Sequence, residues 1–120
     1  MLIRDVNHRQ QKIAGDKTVL REILNPDKDP VGIRYSLAQA VLPVAGISLP
    51  HRMKTSEVYY ILSGKGLMHI DEEMSAVGPG MTIYIPPQDL QFIENIGTED
   101  LCFLCIVDPA WRKEDEEGES

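Results

Sequence analysis

The residues best suited to chemistry lie within Leu49-Pro50-His51-Arg52-Met53-Lys54-Thr55-Ser56-Glu57. An imidazole and a carboxylate stand just ahead of the apolar run Val58-Tyr59-Tyr60-Ile61-Leu62, with Gly64 beyond it. That run is β-prone, and the arrangement suggests a site inside a small β-barrel. A carboxylate pointing into an apolar barrel is costly unless it is paired, protonated or bound to metal. Met53 stands where a second histidine, sharing a strand face with His51, would complete a strong metal site.

Strands and tight turns must position these groups. Thr18 to Leu24 reads as a strand closed by Asn25-Pro26-Asp27, and Asp27 to Gly32 as a loop. Ile33 to Val44 reads as a long strand, and Ala45-Gly46 turns the chain into Ile47-Ser48-Leu49-Pro50. Glu57 to Leu62 and Leu67 to Asp71 pair across the turn Ser63-Gly64-Lys65-Gly66. Met74 to Val77, Met81 to Ile85, Gln91 to Asn95 and Leu101 to Val107 follow, with Gly78-Pro79-Gly80 and Pro86-Pro87 as punctuation. Roughly eight to ten short strands with turns between them mark an all-β barrel or sandwich. Asp108-Pro109 has the form of a helix cap followed by proline at the first helical position, so a short C-terminal helix from Pro109 to about Glu117 is predicted, with Trp111 packing back on the barrel. The chain divides into an N-terminal arm (1–17), the barrel (18–108), and the C-terminal helix with its acidic tail (109–120).

Composition bounds the partners. The 120 residues carry a net charge of −7, which gives no electrostatic footprint for nucleic acid or anionic lipid. Residues 112–120 hold two positive and five negative side chains, and this tail reads as a solvated end. No apolar run approaches the roughly 20 residues that span a bilayer, and Met1 to His8 lacks the layout of a signal peptide. Both point to the cytoplasm. Cys102 and Cys105 lie three apart in Leu101-Cys102-Phe103-Leu104-Cys105-Ile106-Val107. Residues three apart on a strand face opposite ways, so the pair reads as structural thiols and not as a redox or zinc motif.

Two spaced sets of residues resemble the motifs of the cupin family. The first family motif runs glycine, histidine-x-histidine, glutamate, glycine; this chain offers Gly46, His51, Met53, Glu57 and Gly64, with Gly46 one residue closer to His51 than the pattern has it. The second runs glycine, proline-x-glycine, histidine, asparagine; this chain offers Gly80, Pro86, Gln88, Gln91 and Asn95 at the pattern's spacing, with glutamine in place of glycine at 88 and of histidine at 91. The resemblance implies a double-stranded β-helix (a cupin or jelly-roll barrel). By the same pattern, His69 faces outward.

The resemblance also implies roles. The metal ligands would be His51, Glu57 and Gln91, holding a divalent ion such as Zn²⁺, Ni²⁺ or Mn²⁺. Met53 and Tyr59 would border the ligand, and Glu57 would ligate the ion or serve as general base. The function implied is an in-barrel site for a divalent metal and a small polar metabolite, a sugar or sugar acid, with isomerase- or lyase-like chemistry favoured over dioxygenase chemistry. The alternative is a non-catalytic module that binds a small ligand or dimerises without metal. His51 has a second reading as a barrel-mouth histidine bonded to Glu57 or Gln91, Met53 as core filler, and Gln91 as a group that only orients a ligand. Gln88 and Asn95 read as turn and strand-end residues. Outward apolar residues such as Val58, Tyr60 and Leu67 are consistent with a homodimer.

Overall fold

Alternating inward and outward residues let two sheets close over a shared interior, and the computed structural model describes this for residues 1–118. One antiparallel sheet has six strands in the order β1 (Gln11–Ile13), β2 (Val19–Leu24), β3 (Ser36–Leu42), β10 (Leu101–Asp108), β5 (Ser56–Ser63) and β8 (Thr82–Ile85). The other has five, in the order β11 (Glu116–Gly118), β4 (His51–Met53), β9 (Gln91–Asn95), β6 (Gly66–Ile70) and β7 (Glu73–Val77). The order matches the double-stranded β-helix expected from the motifs.

Strand β10 is the spine of the larger sheet. Leu101, Phe103, Cys105 and Val107 are buried and alternate with half-buried residues, and Phe103 stands opposite Ala40 on β3 and Ile61 on β5. Phe103, Ile61, Ile85, Ile93 and Leu101 are almost wholly excluded from water, and each contributes about 1.5–3 kcal/mol through burial. Tyr59 packs on Phe103 with ring centroids 4.5 Å apart. Cys102 and Cys105 fall on opposite faces of β10, half-buried and buried, and both are free thiols. The outward face of this sheet carries Leu37, Val41, Val58, Leu104 and Ile106, with Tyr60, Leu62 and Tyr84 more exposed.

Two expectations change. The strand expected over Ile33–Val44 covers only Ser36–Leu42, because Pro43 starts a turn in which its carbonyl accepts from Gly46 N. The C-terminal helix does not form. Residues Lys113–Asp115 make one 3-10 turn and Glu116–Gly118 join the smaller sheet as β11, against β4. Tertiary bonds overrule the local cap signal: Ala110 N donates to the Arg34 carbonyl, and Trp111 N to Ser36 Oγ. The acidic run therefore does not project as a solvated end up to Gly118. Asn95 does act at a strand end, its Nδ2 donating to the carbonyls of Leu42 and Glu99.

Gly64 has φ +89°, and a Cβ there would lie 2.6 Å from the Asp100 carbonyl oxygen and 2.8 Å from Leu101 Cα. Gly80 has φ +86° with nothing within 4 Å of a built Cβ. Gln88, at the place where the motif has glycine, also adopts a positive φ of 69°, so it carries backbone strain that glycine would not. Gly64→Ala combines left-handed strain with a backbone clash and should cost about 2–4 kcal/mol, whereas Gly80→Ala should cost about 1 kcal/mol. Urea unfolding of the two variants checks this, and equal losses would contradict it.

Candidate functional site

The inward residues divide by height along the strands. Ile61, Ile93 and Leu101 fill one level with hydrocarbon, while Glu57 on β5, His51 on β4 and Gln91 on β9 bring polar groups to another. Strand register sets this: His51 stands opposite Gln91, and Glu57 stands opposite Val107 and Ile85. The polar level opens on a cavity of about 40 Å³, room for only a few water molecules. His51, Met53, Glu57 and Tyr59 line it. Gln91, 1 % exposed, stands behind that wall, where its Oε1 accepts a bond from the Tyr59 hydroxyl at 3.1 Å.

The remaining lining comes from segments that carried no motif. Asp16 and Glu22 enter from the N-terminal side, and Trp111 and Glu116 from the C-terminal strap. Asp16 is held by an Asx turn, its Oδ1 accepting from Thr18 N at 3.1 Å and Thr18 Oγ1 at 2.6 Å. That turn is a local signal legible in Asp16-Lys17-Thr18. Glu22 accepts from Lys28 Nζ at 2.8 Å and from Asn25 Nδ2 at 3.2 Å. Glu116 accepts from Trp111 Nε1 at 3.1 Å. Nothing local marks Glu22 or Glu116 as a cavity residue, since each acquires that position through distant strand pairing. The wall thus holds four carboxyl side chains and no lysine or arginine.

Burial dominates the electrostatics. Glu57 is pushed up from 4.5 to about 8, first by desolvation, with the nearby charges of Asp16 and Glu116 adding to the rise and the Gln91 amide partly offsetting it. Neither Glu57 Oε1 nor Gln91 Nε2 completes a hydrogen bond, although the amide lies near enough to the carboxyl to lower its value. Burial, with Glu57 next in effect, also drives the Tyr59 phenol and the Cys105 thiol well above their usual ranges, so both stay protonated. His51 Nδ1 lies 3.0 Å from the Leu49 carbonyl. A carbonyl only accepts, so Nδ1 carries a hydrogen and in the neutral ring Nε2 keeps its lone pair.

These groups do not fit the divalent ion implied by the motif resemblance. The Gln91 oxygen already accepts from Tyr59 and stands behind the cavity wall, and Met53 offers a buried thioether, which leaves only His51 and Glu57 of the expected set as donors at the cavity. Among the described residues, no cluster of three or more His, Cys, Asp or Glu side chains converges to hold an ion. The other ring systems lie elsewhere. His69 faces outward, stacked on Phe92 at 4.0 Å with Nε2 2.7 Å from Glu94 Oε2, and Tyr35 and Tyr84 are exposed.

Comparisons with known proteins agree on the fold. The family model described as Cupin domain matches residues 39–107. The chain is 45 % identical over 106 residues to the uncharacterized protein MJ1618 of Methanocaldococcus jannaschii, covering 88 % of this chain and 84 % of that one. A predicted oxalate decarboxylase from Thermotoga maritima superposes with a TM-score of 0.79 at 19 % identity, covering 90 % of this chain and 99 % of the other. The polyketide cyclase RemF of Streptomyces resistomycificus superposes with a TM-score of 0.75 at 20 % identity, covering 96 % and 89 %. At such identities the two structures share the architecture alone.

The raised Glu57 value has a thermodynamic consequence. Folding tightens the hold of Glu57 on its proton, so between the unfolded value near 4.5 and about 8 the unfolded chain has lost that proton while the folded chain keeps it. Stability contributed by this group is therefore full below the unfolded value and falls as pH rises to about 8, by several kcal/mol in all. Glu57→Gln keeps the shape and removes the ionisation. The variant should melt several degrees higher than the parent at pH 8, and the two curves should converge at pH 4.5. Thermal unfolding across pH 4.5–8.5 checks this; parallel curves would contradict it.

Proposed function

The chain belongs to the cupin family, and from that premise we propose that its barrel binds the hydroxyl- or carbonyl-bearing end of a small uncharged polar molecule without a resident metal. The observation that carries this reading is Glu57, buried with an unpartnered Oε1 at a cavity whose wall has four carboxyl groups and no basic side chain. A protonated carboxyl donates a hydrogen bond to a ligand oxygen, and the His51 Nε2 lone pair accepts one. The anionic wall disfavours a sugar acid or keto acid and leaves a neutral sugar-like or ketol-like ligand.

Where turnover accompanies binding, the same pair supports isomerase- or lyase-like proton transfer. Glu57, with a value near neutrality, gives a proton to the ligand oxygen, and His51 Nε2 takes one from the neighbouring carbon. This reading uses no Zn²⁺, Ni²⁺ or Mn²⁺. It also places the chain in the cytoplasm, where its two free thiols suit a reducing setting.

Dihydroxyacetone and glycerate separate the neutral from the anionic case. Dihydroxyacetone at millimolar concentration should raise the melting temperature of the parent chain and not of Glu57→Ala, and glycerate should raise neither. Stabilisation by glycerate equal to that by dihydroxyacetone would overturn the reading. So would stoichiometric metal by elemental analysis after incubation with the three ions, if it is lost in His51→Ala and Glu57→Ala.

We also propose a homodimer. Two of the three outward residues read from the sequence, Val58 and Tyr60, sit on the outward face of the six-stranded sheet together with Leu104 and Ile106, whereas Leu67 lies on the other sheet. A second copy seated there removes these side chains from water. Sedimentation equilibrium should give twice 13.5 kDa at micromolar concentration, and Tyr60→Glu with Leu104→Glu should give the monomer. A parent chain at the monomer mass would contradict this.

A further inference from the structure

The core is left open along one side. Strand β8 ends the six-stranded sheet and β7 ends the five-stranded sheet, and the two edges border a groove of about 580 Å³. Ile70, Val77 and Ile83 pack on the core from this side yet stay only partly buried. Glu73 and Ser75 stand opposite Ile70 and Met68 and are exposed although they point inward. Met74, Met81 and Tyr84 at the rim are each more than half exposed. One more strand beside β8 would lie about 10 Å from the smaller sheet, the spacing at which facing side chains pack. The groove shares no lining residue with the barrel cavity, so it stands apart from the Glu57 site.

The edge of β8 suits such a strand. Ile61 N donates to the Met81 carbonyl, and the register sets Tyr59 against Ile83 and Glu57 against Ile85. Alternation of antiparallel ladder bonds therefore turns the N–H and C=O groups of Thr82 and Tyr84 away from β5, toward the free edge. Among the described residues, no strand pairs with them. Thr82-Ile83-Tyr84-Ile85 contains no charged residue and no proline, the devices that commonly keep an edge from pairing.

Charge selects the occupant. The groove is lined by Glu73 and Asp89 and by no lysine, arginine or histidine. Asp71 sits beside them, its Oδ1 accepting from Leu90 N at 2.8 Å. Burial first, then the charge of Asp71, raises the Asp89 carboxyl, with Arg52 opposing the rise and Glu73 adding to it. Three carboxyl groups thus crowd the end of the groove that follows Ile85, and a cation placed there relieves their repulsion.

We propose that the groove between β7 and β8 receives an extended segment of another protein, which adds to β8 as an antiparallel strand with apolar side chains inward and basic side chains on Glu73 and Asp89. Antiparallel addition puts the basic residues at the N-terminal end of that segment, beside the loop that follows Ile85.

The probe is acetyl-Lys-Lys-Val-Thr-Val-Thr-Val with a neutral coumarin amide at its C-terminus, read by fluorescence anisotropy. Set opposite Thr82 and Tyr84, its threonines direct their N–H groups at β8. Binding at low salt should saturate below about 0.5 mM. It should weaken about five-fold or more when both threonines are N-methylated, which keeps every side chain and charge. A similar loss should follow when glutamates replace the lysines, or in the Glu73→Gln, Asp89→Asn double variant. Thr82→Pro removes an N–H that lies outside the ladder and should weaken binding as the N-methyl groups do. The two altered peptides need no variant, so the comparison does not depend on refolding. Absence of saturable binding up to about 2 mM, or equal binding of the N-methylated or the glutamate peptide, would overturn the proposal. So would a parent dimer that Thr82→Pro converts to the monomer, because a second copy would then occupy the edge.

Discussion

The cost of placing a carboxyl group inside a wall of packed strands governs the site of this barrel. Glu57 cannot avoid the interior, because register on β5 puts it on the same side as Tyr59 and Ile61. No lysine or arginine lines the cavity to compensate it. The physical outcome is a neutral acid at ordinary pH, a group that donates where an ionised carboxylate only accepts. The hydroxyl of Tyr59 on Gln91 and the backbone anchor on His51 Nδ1 fix the surroundings of that acid. A one-residue slip of β5 would turn Glu57 to the outer face and empty the site.

Completion of the cavity falls to the ends of the chain. The N-terminal segment brings Asp16, and the C-terminal strap brings Trp111 and Glu116. Their carboxyl groups reinforce the protonation of Glu57. In the proposed reading they also disfavour an anionic ligand head, which would come up against the carboxyl groups of Asp16 and Glu116. Segments outside the motif region thereby influence the chemistry of the motif residue.

Much of the fold was legible. Strand β10 shows a clean alternation in Leu101 to Val107, and turns at Gly64 and Gly80 carry the positive φ that glycine permits. The spacing of His51, Glu57 and Gly64 in one motif and of Gly80, Pro86, Gln91 and Asn95 in the other identifies the barrel. The C-terminal helix was misread because Asp108-Pro109 is a local signal and the bonds that override it come from Arg34, Ser36 and β4, all distant in sequence. Glu116 was invisible for the same reason: an acidic run looks solvated until strand pairing captures it. Gln91 was placed on the correct inward face, yet alternation cannot tell a residue on the cavity wall from one behind it. Met53 and Gln91 signalled departure from the metal-binding pattern, but only the bond between Tyr59 and Gln91 shows how the glutamine oxygen is engaged.

The protonation of Glu57 is open to direct observation. A carbon-13 carboxyl titration of the protein, with the Glu57 signal assigned by its loss in Glu57→Gln, reads that value without any ligand. A midpoint near 8 is the predicted result. A midpoint near 4.5, the ordinary value for a solvated glutamate, would contradict the neutral acid on which the proposed chemistry rests.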